Sequence, residues 1–212
     1  MSKSVKLIIF PVIGLIVLSL FAGYFIELRK KQARLDSLPS NLLRKGNYAK
    51  GTAGAKVLLV EFFDPECESC AAFHPAVKKI LTDYPKDIEF VARYMLYHGN
   101  SEVAALALEG AGKQNKYWEM YDILLERSEQ WGHLKESAAP IFEKYAQELG
   151  LNIEEFNKSY ADPALKAKLT QDISDGKALG VKGTPTFFVN GKLLQKLSYS
   201  DLKNEIEVEL AK

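Results

Sequence analysis

Two cysteines in a Cys-x-x-Cys arrangement are the residues of this sequence best suited to chemistry. Cys67 and Cys70 are the only cysteines in 212 residues, and they enclose Glu68 and Ser69. A thiolate at the start of a helix is stabilised by the helix dipole and by unpaired backbone N–H groups, which lower its pKa and make it nucleophilic. The second cysteine, one helical turn later, can attack a mixed disulfide formed by the first. The spacing alone also fits half of a zinc site, so the surrounding elements must decide.

The segments on either side of the pair predict a strand, then a helix, then a second strand. Residues 57–63 form a nearly continuous apolar run of strand-forming residues, which is typical of a central strand buried on both faces. Apolar residues at helical spacing follow the pair, at Phe73, Val77, Ile80 and Leu81. Residues 88–95 predict another strand, parallel to the first because a helix separates the two.

The second half of the chain predicts a helical insertion followed by a hairpin. Apolar residues recur at helical spacing over about residues 101–180, and helix N-caps are expected at Asn152 and Asp162. Strands are then predicted at residues 186–189 and 192–195, because an Asn-Gly turn joins these two apolar runs. A last helix completes the chain.

The extreme N-terminus predicts a membrane-spanning helix. Residues 7–26 carry no charge over 20 positions, enough to cross a hydrocarbon layer of about 30 Å. We favour an uncleaved anchor over residues 1–27, because Leu20-Phe21-Ala22 is a poor cleavage site for a signal peptide. Ser19 and Gly23 form a small-x-x-x-small pair, which suggests helix pairing and hence a homo-oligomer.

The charges next to the predicted span and the cysteine content indicate different sides of the membrane for the folded domain. A polar linker is predicted over residues 28–50 and the folded domain over residues 51–212. The basic residues at positions 29–34 would hold the domain in the cytoplasm by the positive-inside rule. A lone redox pair without a third thiol suits an oxidising compartment, so we favour the extracytoplasmic side, periplasm or cell exterior. Residues 35–212 carry 22 basic and 26 acidic side chains, which argues against a nucleic-acid partner.

Three further motifs are shared with a known family. They are the segment Val60–Cys67, the helix Lys116–Asp122 and the loop and hairpin Gly183–Gly191. Over about residues 47–212 the chain thereby resembles the DsbA-type thiol:disulfide oxidoreductases. The resemblance implies an α/β thioredoxin fold with an inserted all-helical subdomain, preceded here by one transmembrane helix. It also implies an enzyme that acts on unfolded or exported proteins, works with a membrane redox partner, and uses the Cys67–Cys70 disulfide with no other cofactor and no metal.

The resemblance, together with position, assigns the site residues. Cys67 is the nucleophile and Cys70 the resolving cysteine. Pro185 is implied to be cis and to pack beside the cysteines, leaving the backbone of Thr184 to pair with an extended substrate. Glu61 matches a buried acid whose pKa is raised by desolvation and which accepts the proton of Cys70. A glutamate that faces solvent at a sheet edge is the alternative for this residue.

The two residues between the cysteines are expected to tune the redox reaction. The strongest oxidants of the resembled family carry a histidine there, whereas this chain has Glu68 and Ser69. A carboxylate beside Cys67 should raise the pKa of that thiol, which predicts a weaker oxidant. His74, four residues after Cys70, is expected to influence the cysteines by proximity.

Two interpretations of function follow. The favoured one is a membrane-anchored thiol:disulfide oxidoreductase, with the oxidase direction preferred over reduction or isomerisation. The alternative is a membrane-tethered binding or chaperone module whose cysteine pair is structural. The two remaining histidines, His98 and His133, are expected to be surface or loop residues.

Overall fold

The computed structural model describes most of the chain and divides it into two units. The described residues are 18–26, 28–29, 32–33 and 36–212. A first unit ends at Leu38, and the compact second unit runs from Pro39 to Lys212. Residues 18–26 are helical, and their large apolar side chains are exposed.

The predicted membrane span, residues 7–26, lies largely outside the described residues. In the part of the chain that is described, no helix is both long and apolar enough to cross a membrane. The N-terminal anchor therefore stays a prediction.

The compact unit is built on a five-stranded mixed sheet in the order β1-β3-β2-β4-β5. The strands are β1 (Ala49–Gly51), β2 (Val57–Phe63), β3 (Ile88–Tyr94), β4 (Thr186–Val189) and β5 (Lys192–Leu193). β2 and β3 are parallel, and every other neighbouring pair is antiparallel. All seven residues of β2 are buried, which confirms the central strand predicted from its continuous apolar run.

Seven α-helices and two short 3₁₀ turns complete this unit. The helices are α1 (Glu68–Asp83), α2 (Ser101–Lys113), α3 (Tyr117–Glu126), α4 (Ala139–Glu148), α5 (Ile153–Lys158), α6 (Pro163–Ala178) and α7 (Tyr199–Leu210); the 3₁₀ turns are Ser128–Gln130 and Ser159–Ala161. Helices α2 to α6 lie between β3 and β4, which confirms the predicted helical insertion. The predicted N-caps are present as well, since Asn152 accepts from the Glu155 N–H at 3.0 Å and Asp162 from the Ala164 N–H at 2.8 Å.

The folded unit begins earlier than the predicted boundary at residue 51. We call residues 39–51 the arm; the sequence predicts most of them to be part of a linker over residues 28–50. Instead, Leu42 is fully buried, and the ring of Tyr48 stacks on Tyr117 with centroids 4.0 Å apart. The arm ends in β1, which pairs with β3. Burial of these apolar and aromatic groups holds the arm against the rest of the unit.

A buried group of charges fastens the arm to the sheet and to the insertion. Arg93, on β3, is fully buried and donates to Asp172 at 2.6 Å and to Asp175 at 2.7 Å. It also donates to the backbone carbonyl of Asn41 at 2.5 Å. Arg44, in the arm, donates to Asp175 at 2.7 Å. The Arg44 hydrogen bond, followed by the one from Arg93, holds the pKa of Asp175 well below its usual range despite opposing desolvation.

Candidate active site

Cys67 lies at the end of the segment that connects β2 to α1. It occupies the N-cap position directly before Glu68, the first residue of α1, so the first turn of the helix faces its sulfur. The thiol donates to the backbone carbonyl of Thr184 at 3.4 Å. A hydrogen bond from Cys70 is the largest of the influences that lower the pKa of Cys67 to about 5. Hydrogen bonds from the Thr184 side chain and from the backbone N–H groups of Cys70 and Ser69 add to it, and burial opposes it.

Cys70 has the opposite character. Both cysteines are free, but Cys70 is 1% exposed whereas Cys67 is 8% exposed. Burial raises the pKa of Cys70 strongly, and the hydrogen bond to Cys67 and the charge of Glu61 raise it further. The arrangement therefore pairs a thiolate at the more accessible position with a protonated thiol behind it.

The loop before β4 brings Thr184 and Pro185 beside the cysteines although they are more than 100 residues away in sequence. β4 runs antiparallel to β2 with Phe62 opposite Thr186, so the start of β4 meets the end of β2, where Cys67 follows. The Thr184–Pro185 peptide bond is cis. A groove of about 640 Å³ adjoins this loop and is lined by residues 182–187 together with Leu193, Leu194 and Leu197.

Glu61 lies within β2 and is buried with a single hydrogen-bond donor on its carboxylate. It is 1% exposed, and the Tyr121 hydroxyl donates to its Oε2 atom at 2.7 Å. Burial raises the pKa of Glu61 to about 7; the Tyr121 hydrogen bond opposes the rise and the charge of Cys67 adds to it. The alternative of a solvent-facing glutamate is therefore wrong, while a role for Glu61 as proton acceptor stays a prediction.

Glu68 pairs with His133. Its carboxylate, 74% exposed, lies 2.6 Å from Nε2 of His133. The backbone N–H at the start of the helix, and then His133, lower the pKa of Glu68. A carboxylate at this position is expected to raise the pKa of Cys67, and that effect of Glu68 stays a prediction. Hydrogen bonds, of which the one from Cys70 is the largest, lower the pKa of Cys67 overall.

A buried aspartate near the cysteines binds the loop that follows β3. Asp64 is fully buried, and its Oδ2 lies 2.8 Å from Nδ1 of His98 and 2.7 Å from the Tyr97 N–H. Its Oδ1 accepts from the Ser101 hydroxyl at 2.5 Å and from the Glu66 N–H at 2.9 Å. His98, expected to be a surface or loop residue, lies in a loop, is 29% exposed and contacts this buried acid next to the active site.

Glu66 and Asn100 join the same loop to a second one. Glu66 is 2% exposed and accepts from the Asn100 N–H at 2.5 Å and the His133 N–H at 2.8 Å. The Asn100 side chain donates to the Leu134 carbonyl at 3.0 Å and accepts from the Ala138 N–H at 2.8 Å. The only sequence signal for this network is the presence of two acids, at positions 64 and 66, within three residues of the nucleophile.

His74 lies on the face of α1 that contacts α3. It is 3% exposed; its Nε2 lies 3.2 Å from Asp122, and its ring packs edge-on against Tyr121. Through Tyr121, which donates to Glu61, His74 adjoins the buried acid. Within the described part of the chain, no group of three or more His, Cys, Asp and Glu side chains is placed to hold a metal ion.

Comparisons with known proteins identify the family and the fold. The sequence model of the thioredoxin family matches residues 44–208. The structure is similar to that of BdbD from Bacillus subtilis, with 25% identity, a TM-score of 0.71, and coverage of 79% of this chain and 95% of BdbD. It also shares the fold of the thiol-disulfide exchange protein alpha-DsbA2 from Wolbachia pipientis, with 18% identity, a TM-score of 0.70, and coverage of 85% and 96%.

Curated relatives are much longer than this chain. The Na(+)/H(+) antiporter NhaA 1 of Salinispora arenicola is 36% identical over 149 residues, which are 69% of this chain but only 22% of the antiporter. The chain therefore spans about 22% of the length of this curated relative.

Proposed function

The chain belongs to the thioredoxin family and has the fold of the DsbA-like thiol-disulfide oxidoreductases, and from this we propose that it exchanges disulfides with exported or envelope proteins. One observation carries the proposal. Cys67, with a pKa lowered to about 5, stands beside Thr184 and cis-Pro185, while Cys70 behind it stays protonated. A structural or metal-bound pair has no need of such a difference between its two thiols.

In the oxidase direction, which we favour, the protein disulfide is consumed in two exchanges. A substrate thiolate attacks the Cys67 sulfur, the Cys67–Cys70 bond breaks, and Cys70 leaves and takes up a proton. A second substrate thiolate then attacks the substrate sulfur of the mixed disulfide, and Cys67 leaves as a thiolate. Two electrons pass from the substrate to the protein, and a membrane redox partner removes them. The low pKa of Cys67 makes it a good leaving group in the second exchange.

Glu61 would donate a proton to Cys70 and accept one from it. With a pKa of about 7 it can release a proton to the departing Cys70 sulfur, and it can accept one when Cys70 attacks in the reverse direction. Burial makes this exchange effective because no solvent competes for the proton at a site that is 1% exposed. Tyr121, which donates to Glu61 at 2.7 Å, would hold the carboxylate in place.

The surroundings of Cys67 suit an unfolded protein segment as substrate. Large exposed apolar side chains stand on three segments that carry site residues, namely Tyr97 at 50%, Leu134 at 39% and Leu197 at 48%. Leu197 lines the groove beside Pro185. An extended segment could pair with the backbone of Thr184 while its side chains contact these apolar groups.

We further propose that the enzyme is anchored by its N-terminal segment and faces the extracytoplasmic side. Two cysteines in a redox pair, with no third thiol, suit an oxidising compartment. The helical residues 18–26 expose large apolar side chains such as Leu20, Phe21 and Phe25, which would be stable in lipid. Pairing of this segment through Ser19 and Gly23 would give a homo-oligomer.

Trapping of mixed disulfides tests the proposal. Cys70→Ser should accumulate substrate proteins linked to Cys67, because the sulfur that resolves the intermediate is gone. Cys67→Ser is the matched control and should trap none. Capture by Cys67→Ser but not by Cys70→Ser would reverse the assigned roles.

Turnover separates the enzyme from a tethered binding module. The wild-type protein should catalyse insulin reduction and the refolding of reduced ribonuclease, and neither single variant should complete a cycle. A binding or chaperone module would give no turnover in either assay. Thiol trapping in cells then reports direction: a mostly oxidised pair supports the oxidase, and a mostly reduced pair supports a reductase or isomerase.

A further inference from the structure

A histidine outside the Cys-x-x-Cys motif belongs to the charged environment of Cys67. His98 is 29% exposed, and its Nδ1 lies 2.8 Å from a carboxylate oxygen of the fully buried Asp64. The backbone ties the same aspartate to the nucleophile, because the Cys67 N–H donates to the Asp64 carbonyl at 3.1 Å. His98 and Cys67 are therefore joined through one residue, and each contacts a different part of it.

The Asp64 carboxylate matters for the stability of the Cys67 thiolate. A buried carboxylate close to a thiol disfavours the thiolate unless a positive charge offsets it. The N–H groups of Tyr97 and Glu66 and the Ser101 hydroxyl donate to Asp64, and Nδ1 of His98 contacts the same carboxylate, so a protonated His98 would supply the positive charge.

Several elements contribute the groups that surround His98. The segment before α1 contributes Asp64, Glu66 and Cys67, and α1 contributes Glu68. The loop after the first 3₁₀ turn contributes His133, whose ring packs edge-on against that of His98 with centroids 5.5 Å apart. His133 in turn is paired with Glu68 at 2.6 Å. The two histidines thus have separate carboxylate partners, one buried and one exposed.

We propose that His98 is a positioning residue for the Cys67 thiolate, which neutralises Asp64 and places a cationic ring beside the nucleophile. The inference rests on the proposed function, since it concerns the thiolate used there. It assigns to a loop residue part of the stabilisation that would otherwise come from the residues between the cysteines. His133 is the contrasting case because its partner, Glu68, is 74% exposed and is screened by solvent.

The ionisation of His98 supports this role. Burial, the largest single influence, lowers the pKa of His98, but the hydrogen bond and charge of Asp64 together with the charges of Cys67 and Glu66 raise it overall above 6.5. The pKa of Cys67 is lowered and that of His98 is raised, so the pH range in which both groups are charged is widened. By thermodynamic linkage, each group then favours the charged form of the other.

The test replaces the charge but keeps the hydrogen bond. In His98→Asn the amide can still donate to Asp64, so the loop should keep its anchor. We expect the midpoint of the thiolate absorbance, followed against pH in the reduced protein, to rise by about one pH unit. The matched control His133→Asn removes a histidine from the same cluster and should move the midpoint by less than half as much. The equilibrium with glutathione should shift about tenfold toward the disulfide form in His98→Asn.

A reciprocal measurement, made on a variant of Cys67, excludes misfolding of His98→Asn as the explanation of the shift. In the otherwise unaltered chain, Cys67→Ser removes the thiolate, and the NMR titration of the His98 ring should then move to lower pH. An unchanged Cys67 midpoint in folded His98→Asn, an equal shift in His133→Asn, or an unmoved His98 titration in Cys67→Ser would each overturn the proposal. None of these measurements needs a substrate, so they are independent of whether insulin or ribonuclease is turned over.

Discussion

Replacing Glu61 by glutamine should stabilise the protein at alkaline pH and at the same time slow its chemistry. The Glu61 carboxylate is 1% exposed and has Tyr121 as its donor. An ionised carboxylate in that position loses its hydration and recovers only part of it through one hydroxyl. A glutamine has nearly the same shape and can still accept from Tyr121, but it never carries the charge.

The magnitude follows from the pKa. Burial raises the pKa of Glu61 from 4.5 to about 7, which corresponds to about 3 kcal/mol against the ionised form in the folded state. Because the folded pKa lies above the unfolded one, the unfolded chain loses its proton first as the pH rises. Stability from this group is thus complete below pH 4.5 and is lost as the pH rises to about 7, with about 2.5 kcal/mol of the loss between pH 5 and pH 8.

Urea unfolding of the reduced protein at several pH values measures this effect. The free energy of unfolding of Glu61→Gln minus that of the wild type should increase by about 2.5 kcal/mol from pH 5 to pH 8. Burying the extra amide N–H groups of the glutamine has the same cost at pH 5 and at pH 8, so it does not alter the change between these two pH values. The ionisation of Cys67 is present in both proteins and cancels to first order. A flat difference over this range would refute a raised pKa for Glu61.

The kinetic half of the prediction uses the same variant. Release of a peptide from a preformed Cys67 mixed disulfide reports attack by Cys70, and Glu61→Gln should slow it about a hundredfold near pH 7. Tyr121→Phe is the informative control because it keeps the carboxylate but removes its donor, so it should lose stability at pH 8 without losing the proton acceptor. If Glu61→Gln gained stability at pH 8 but released peptide at the wild-type rate, Glu61 would be a buried acid with no part in catalysis.

Two further substitutions test other parts of the structure. Glu68→His should lower the pKa of Cys67 and raise the reduction potential, by about 30 mV for each tenfold change in the glutathione equilibrium; an unchanged or lower potential would contradict it. Arg93→Ala should cost about 3–5 kcal/mol of unfolding free energy, because it leaves Asp172 buried without its cation and removes one of the two cations that pair with the buried Asp175. Arg44→Ala, whose side chain is 43% exposed, should cost less than Arg93→Ala, and equal losses for the two arginines would show that burial does not decide their contribution.

The parts of the fold that sequence reasoning anticipated are those with local signals. Residues 57–63 need no distant partner to be recognised as a buried strand, because every one of them is buried in a sheet covered on both faces. The caps at Asn152 and Asp162 bond to N–H groups two or three residues later, so their signature is contained in a few letters. The cysteine pair is equally local. Such features depend on residues that are close in sequence, so they can be predicted from the sequence alone.

The arm shows why other parts were missed. β1 has three residues, too few for an alternating pattern, and only its central one is partly buried. What holds the arm is contact with remote residues, including the Tyr48 ring on Tyr117 and the Trp118 indole, which donates to the Ala49 carbonyl at 3.1 Å. A short polar stretch that docks in this way has the same composition as a free linker. A docked segment differs from a free linker in having remote residues to contact, and the local sequence does not show these residues.

The cluster around Asp64 changes where the control of the nucleophile should be sought. Two acids, Asp64 and Glu66, precede Cys67 within three positions, and yet the pKa of Cys67 is lowered. Both carboxylates are buried and accept hydrogen bonds from loop N–H groups, so their charge is solvated by the loops that carry His98 and His133. The loops and the thiolate therefore depend on the same two acids. A change in either loop should alter the redox properties of Cys67 even where Glu68 and Ser69 are untouched, so the dipeptide between the cysteines cannot by itself determine how strongly this protein oxidises.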